Sequence, residues 1–156
     1  MRIELTAHRT DLGTQLGTLQ YEEWGRYEGG TVEQWIQIAI SDHGVTELPV
    51  GFVAIEDGVV IGGVSLREFD IEERMDRSPW INGMLVRKGR RREGIGYALM
   101  AQLEEWAVQV GLTEGWVWTK SAATFYERCA WTRVEELIHQ GEAGMVLHRF
   151  FGRQAQ

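Results

Sequence analysis

The chain has 156 residues, 44% hydrophobic and 25% charged, which is the balance of one soluble globular domain and not of a disordered or membrane-spanning polypeptide. With 16 Lys and Arg against 23 Asp and Glu, the formal charge is −7; that speaks against a nucleic-acid binder, which would present a basic face to phosphates, and leans towards a cationic substrate. The one cysteine, Cys129, excludes an internal disulfide and a cysteine-based metal site.

The opening run Met1-Arg2-Ile3-Glu4-Leu5 mixes charged and apolar residues, so it offers no apolar segment for a signal peptide and a cytoplasmic protein is expected. Arg2 to Ala7 alternates apolar and polar and reads as an edge or near-edge strand. Leu12, Leu16, Leu19 and Trp24, then Val32, Trp35, Ile36, Ala39 and Ile40 after the Gly29-Gly30 break, predict two short amphipathic helices. Val50 to Ile55 and Val59 to Leu66 are β-rich and flank Glu56-Asp57-Gly58, an Asp-Gly hairpin signal. Glu68 to Ser78 is a charged connector, and Pro79 opens a strand from Trp80 to Val86. After a basic, glycine-containing stretch, Ile95, Ala98, Leu99, Leu103, Trp106, Ala107 and Val110 form one helical face that Gly111 closes. A short strand (Gly115 to Thr119), a short helix (Ala122 to Arg128) and two more strands (Trp131 to Leu137 and Ala143 to Phe150, after a Gly141 turn) complete the order β-α-α-β-β-β-α-β-α-β-β. It contains a β-α-β unit and no repeats or linkers, so residues 1–156 are expected to be one domain.

The basic stretch carries the strongest signal. Arg87, Lys88, Arg90, Arg91 and Arg92 reverse the charge of an acidic protein locally, between a predicted strand and a predicted helix. Glycines there let the backbone approach an anion, and the free amides at a helix start point outward with the positive end of the macrodipole behind them. A Walker A loop would need Lys-Ser/Thr after its glycine, and a dinucleotide fingerprint would need a third glycine after Gly94-Ile95-Gly96; both are lacking.

Arg91-Arg92-Glu93-Gly94-Ile95-Gly96 resembles the acetyl-CoA loop of the GNAT superfamily, Arg/Gln-x-x-Gly-x-Gly/Ala. Arg74-Met75-Asp76-Arg77-Ser78-Pro79-Trp80 is similar to the Arg-x-Asp-x-Ser-Pro-Trp lead-in of a bacterial subgroup. Thr119, Phe125-Tyr126-Glu127-Arg128 and Trp131 resemble the family's Phe-Tyr-Glu-x-x-Gly-Trp segment, with Ala130 in place of glycine. Three motifs in the right order are far more specific than one. The resemblance implies an α/β (α+β) GNAT fold: a mixed, mostly antiparallel central sheet with a parallel splay between the fourth and fifth strands, flanked by about four helices.

It also implies an acetyl-CoA-dependent N-acetyltransferase. In such an enzyme the cofactor lies in the splay and a primary amine of a small molecule or peptide attacks the thioester directly, in a ternary complex. By the same resemblance, backbone groups of Met84, Leu85 and Val86 hold the pantetheine arm, amides from Arg92 through Glu93, Gly94 and Ile95 to Gly96 cradle the pyrophosphate, and Arg91 adds a side-chain contact. Tyr126 is the expected general acid, a phenol with an ordinary pKa of about 10 that protonates the leaving thiolate.

The general base is open among Glu68, Asp70, Glu72, Glu73 and Asp76, each of which by itself reads first as a solvated loop carboxylate. Asp76 and Arg74 also read as an ion pair shaping the acceptor loop. Trp24, Trp35 and Trp80 are candidates to line the acceptor pocket, with Glu22 and Glu23 beside Trp24 to meet a cation; Trp106, Trp116, Trp118 and Trp131 read as core. The four histidines lack ligand spacing, so no metal is expected. Cys129 reads as a small buried hydrophobe and not as a nucleophile. A non-catalytic acyl-CoA-binding regulatory module is the alternative function. Partners are expected to exclude nucleic acid and membrane. The amine's identity, the use of longer acyl chains and the oligomeric state, a homodimer included, are open.

Overall fold

A computed structural model describes residues 1–153. Seven strands form one sheet in the order β1-β2-β3-β4-β5-β7-β6, with β1 at Arg2–Leu5, β2 at Val50–Glu56, β3 at Val59–Arg67, β4 at Trp80–Val86, β5 at Glu114–Thr119, β6 at Thr132–His139 and β7 at Glu142–Phe150. The helices are α1 (Thr10–Gln20), a single turn α2 (Arg26–Glu28), α3 (Val32–Ser41), α4 (Ile95–Gln109) and α5 (Ala123–Arg128). Strand β4 pairs in parallel with β5, at Trp80 and Trp116, and β1 lies at an edge as the alternation predicts. This is the mixed sheet with flanking helices that the sequence resemblance implies.

Two compact units make up the chain: Met1–Leu66 with Gly83–Leu103, and Arg67–Asn82 with the segment from Glu104 onward. In the first, β1, β2 and β3 form an antiparallel meander. Its β2–β3 turn carries both Asp57 (φ 52°) and Gly58 (φ 76°) in left-handed backbone, the conformation a two-residue Asp-Gly hairpin requires. Leu12 and Leu16 of α1 bury against Val53, Ile55 and Val60. Gly17 lets α3 lie close across α1, since a Cβ there would sit 2.5 Å from Ile36 Cα. Thr31 caps α3 reciprocally with Gln34, so the break at Gly29-Gly30 ends in a capping box. The predicted helix from Asp11 to Trp24 is shorter in the structure: it passes into a π-helical turn over Tyr21–Gly25, a wide turn that apolar spacing does not encode.

In the second unit Ile71, Trp80 and Val146 form the buried centre, with Trp116, Trp118 and Leu137 packed against it. Trp80 is fully buried and its indole N–H donates to Arg77 O at 2.7 Å. The β6–β7 turn again uses two left-handed residues, Gln140 (φ 51°) and Gly141 (φ 76°). A short 3-10 turn at Glu72–Arg74 stands within the charged connector. Its Arg74 makes a bidentate pair with Glu135 of β6 (2.7 and 2.9 Å), which Arg77 joins at 2.7 Å. The expected Arg74–Asp76 pair is therefore replaced: β6 supplies a carboxylate at bidentate distance, and Asp76 is left exposed, acting on Arg74 only through its charge. Arg77 also lies over the Trp116 ring at 4.6 Å. His139 and His148 are structural, bonded to Glu73 and Glu114 at 2.9 and 2.8 Å.

The hydrogen bond from Arg74, then that from Arg77, and the charge of both hold the Glu135 carboxyl down at about 2. A carboxylate depressed on folding stabilises the native state above its unfolded pKa, and that contribution fades as pH falls from about 4.5 towards 2. Glu135→Gln is expected to cost about 1–2 kcal/mol at pH 7, a figure discounted for partial exposure. Urea unfolding of both proteins should show the gap closing as pH approaches 2, whereas a gap constant with pH would remove the ion-pair explanation.

Candidate active site

Strand β4 leaves extended geometry in its middle, where Gly83 has φ 65°. A side chain there would be strained, and its Cβ would meet Gln20 Nε2 at 2.6 Å. Gln20, buried at the end of α1, donates through that same nitrogen to Gly83 O at 3.1 Å. Arg87 N donates to Ile61 O of β3 at 2.8 Å. Alternation along the strand therefore turns the Leu85 backbone groups towards β3 and those of Met84 and Val86 away from it. Gly62 is needed for this approach, because a Cβ would lie 2.8 Å from Leu85 O.

The basic loop that follows divides its charges. Arg87 donates to Val60 O, and Arg90 is held by Glu93 and Glu56, whose bonds push its pKa up; both side chains secure the loop. Arg91 donates to Val86 O at 3.0 Å and pairs with Glu23 at 2.9 Å. Lys88 and Arg92 are exposed, and among the described residues neither has a partner. Arg92 (φ 67°) and Gly94 (φ 83°) are both left-handed, the kind of turn that curls successive N–H groups into an anion-binding concavity. The first α4 bond runs from Ala98 N to Gly94 O at 3.0 Å, so the amides of Ile95 and Gly96 precede any intrahelical acceptor. Nothing lies within 4 Å of where a Gly94 Cβ would stand. Unpaired amides, a helix start and two free cations suit a pyrophosphate. The Glu93 side chain turns to Arg90, leaving its backbone as its only contribution.

Tyr126 sits in α5, 4% exposed, between Phe125 (5.1 Å, edge-on) and Trp131 (6.0 Å). Burial first, then the charges of Cys129 and Asp70, push its pKa up, so the phenol keeps its proton. Among the described residues no group hydrogen-bonds its hydroxyl, and none of their side-chain polar atoms is both sealed from solvent and unpartnered; the hydroxyl oxygen thus keeps an open direction. Thr119 Oγ1 accepts the Ala122 N–H at 2.9 Å and fixes the turn into α5. The helix ends in a Schellman motif, with Trp131 N to Tyr126 O at 3.0 Å and Ala130 N to Glu127 O at 2.9 Å. Cys129 at this end is half-buried, and burial pushes its thiol up to about 11, which leaves it un-ionised at neutral pH.

Trp24 and Trp35 come together, half-buried, with ring centres 6.4 Å apart. Glu22 is exposed beside them, while the Glu23 carboxylate is taken by Arg91. Trp80 is fully buried in its own hydrophobic centre, with Ile71 and Val146. Gln20 and Asn82 had not been singled out in the sequence. A glycine inside the apolar run Trp80 to Val86 is a bulge signal that points to Gly83, and Asn82 is the polar residue next to it.

A sequence profile described as the acetyltransferase (GNAT) family matches residues 11–131, well over half of the chain. The chain belongs to the acetyltransferase (GNAT) family. No curated protein sequence matches it at a significant level. Among solved structures, an aminoglycoside 6'-N-acetyltransferase complexed with coenzyme A superposes with a TM-score of 0.80 at 14% identity over 100% of both chains. An aminoglycoside 6'-acetyltransferase type Ii gives 0.77 at 16% identity over 99% of each. A protein from Salmonella typhimurium, solved with its cofactor acetyl-CoA, gives 0.69 at 11% identity over 100% of this chain and 98% of its own. At such identities the likeness is one of fold. Acetyl-CoA is the acyl donor of this family of transferases. Among the described residues, no group of three or more His, Cys, Asp or Glu is placed to hold a metal, and no helix is long and apolar enough to cross a membrane.

Ala130 occupies the left-handed position of the Schellman turn, at φ 69°, where the family motif carries glycine. A Cβ there is strained by about 1–2 kcal/mol, part of which glycine returns as unfolded-chain entropy. Ala130→Gly is expected to stabilise the protein by about 0.5–1 kcal/mol and raise Tm by about 2 °C, read by calorimetry.

Proposed function

We propose that the chain is a single N-acetyltransferase domain that moves acetyl from acetyl-CoA to a primary amine of a small molecule or peptide, by direct attack in a ternary complex. The observation that carries this reading is the junction of β4 and α4, where unpaired amides, left-handed turns at Arg92 and Gly94 and the unpartnered Lys88 and Arg92 converge. Acetyl-CoA supplies the acetyl group as a thioester and leaves as a thiol. Met84 and Val86 offer backbone groups turned away from β3 to the pantetheine arm. The amides from Arg92 to Gly96 take the pyrophosphate. Arg91 reaches it by exchanging its Glu23 partner.

Tyr126 acts as the general acid. Burial keeps its phenol protonated, and a thiolate leaving into equally desolvated surroundings has its own pKa raised for the same reason, so the proton affinities of donor and acceptor stay matched. The paired indoles Trp24 and Trp35 are the apolar residues this reading offers to the acceptor, and the exposed Asp76 and the indole Trp80 remain its other acceptor-binding residues. A charge of −7 supports a cationic amine, as do the structural neighbours described as aminoglycoside acetyltransferases. The cytoplasm, where acetyl-CoA is available, is the compartment that suits this reaction.

The test is release of CoA thiol from acetyl-CoA across a panel of amines: an aminoglycoside, a polyamine, an amino acid and a peptide. Turnover on at least one is expected, whereas tight acetyl-CoA binding without turnover on any would point to a regulatory acyl-CoA-binding module instead. Tyr126→Phe should lower kcat by about 10–100-fold with CoA affinity unchanged; unaltered kcat would remove the acid role. Replacing both Lys88 and Arg92 by Ala should weaken CoA binding by about tenfold and flatten its salt dependence, measured by titration calorimetry.

A further inference from the structure

Five carboxylates precede β4, and they do not share one environment. Glu68, Glu72 and Asp76 are exposed. Glu73 is bound to His139 at 2.9 Å, and its own backbone amide first and then the histidine bond hold its pKa down. Asp70 differs from all four. It is half-buried, and its Oδ1 accepts the Asn82 Nδ2–H at 2.6 Å.

Ion pairs engage the other interior carboxylates of this unit, Glu104 with Arg149 and Glu135 with Arg74 and Arg77. Among the described residues Asp70 has no ion-pair partner: a neutral amide orients it. A neutral donor fixes a carboxylate in place while leaving most of its basicity, which an arginine would remove. Burial raises the Asp70 pKa, opposed by the Asn82 bond and by the charges of Arg67 and His139. No polar side-chain atom among the described residues is sealed and unpartnered, so Oδ2, for which none of those residues is a partner, keeps contact with solvent. Asn82 belongs to β4, and the Asp70 charge is one of the influences on the Tyr126 phenol. The open oxygen and the open hydroxyl therefore lie within electrostatic reach of each other.

We infer that Asp70, held by Asn82, is the general base that accepts the proton of the substrate ammonium. This rests on the acetyltransferase reading above. Asp70 Oδ2 takes one proton from the ammonium; the freed nitrogen lone pair forms the C–N bond to the acetyl carbonyl carbon as the C–S bond breaks. Tyr126 gives its proton to the sulfur, and the second proton shed by the nitrogen restores the phenol. One proton is released overall, through Asp70, with an amide and a thiol as products. Arg67 and His139 tune the base through their charges, and the Tyr126 phenol faces it as a neutral group.

The experiment is a pH profile of kcat/KM with acetyl-CoA and whichever amine of the panel turns over. Asp70→Asn should lower kcat by about a hundredfold or more, with acetyl-CoA affinity by calorimetry unchanged, and should abolish the acidic limb of the profile. Asp70→Glu should recover part of the rate. Asn82→Ala removes a bond that lowers the Asp70 pKa, so it should keep activity at high pH and shift the acidic limb upward, a readout that a purely structural role would leave in place. A kcat within about twofold of wild type in Asp70→Asn, or an acidic limb unmoved in Asn82→Ala, would overturn the assignment while leaving the acetyltransferase reading standing. A wild-type protein that releases no thiol with any amine would overturn both.

Discussion

Strand β4 cannot remain a regular strand through Gly83, and much of the chemistry is arranged around that break. With φ at 65° the main chain departs from extended geometry at a position where only glycine escapes strain, and the buried Gln20 side chain occupies the space a Cβ would need while bonding the carbonyl. Before the break, Trp80 anchors the strand and Asn82 reaches Asp70. After it, Met84 and Val86 turn their peptide groups away from β3 and the chain enters the basic loop. One irregular residue thus separates the part of β4 that holds a carboxylate from the part suited to a cofactor.

Electrostatics follows the same division of labour. Most arginines are spent on fixed carboxylates: Arg74 and Arg77 on Glu135, Arg149 on Glu104, Arg90 on Glu56 and Glu93. These pairs hold loops and strands in register, and they silence charge that would otherwise compete with a ligand. Lys88 and Arg92 have no carboxylate partner among the described residues, and Asp70 is bonded to a neutral amide, that of Asn82 in β4. The protein is acidic as a whole, yet the loop after β4, proposed to take the phosphates, is basic. Arg91 is the intermediate case, paired with Glu23 and able to trade that partner for a phosphate at modest cost, because exposed ion pairs are worth little.

The apparent anomalies in the tyrosine segment have local causes. Ala130 takes a left-handed conformation because the Schellman motif demands one there, whatever residue occupies it, and the two bonds that close the motif tie Tyr126 and Glu127 to the start of β6. Tyr126 is therefore placed by the backbone at one end and by Phe125 and Trp131 at its ring. A phenol clamped in this way can be buried with an unbonded hydroxyl only if that hydroxyl meets solvent or substrate.

Local chemistry made much of the fold legible. Asp57-Gly58 dictates a two-residue hairpin because both residues tolerate left-handed backbone, the period of Ile95 to Val110 dictates α4, and Arg91 to Gly96 reads as the proposed anion site because glycine and helix-start amides act over a few residues. Boundaries of β4 and α4 followed from the same short-range rules. What the sequence could not determine is which distant side chains meet. The Arg74 partner is Glu135 and not its neighbour Asp76, because sheet pairing brings β6 within bidentate reach. Trp80 is core and Trp24 is not, because burial is a property of packed layers and not of residue type. Five nearly equivalent carboxylates are separated only by tertiary structure, which half-buries Asp70 beside an amide and leaves the others to water or to His139. Identity and spacing select the kind of chemistry; desolvation and long-range contacts select the atom that performs it.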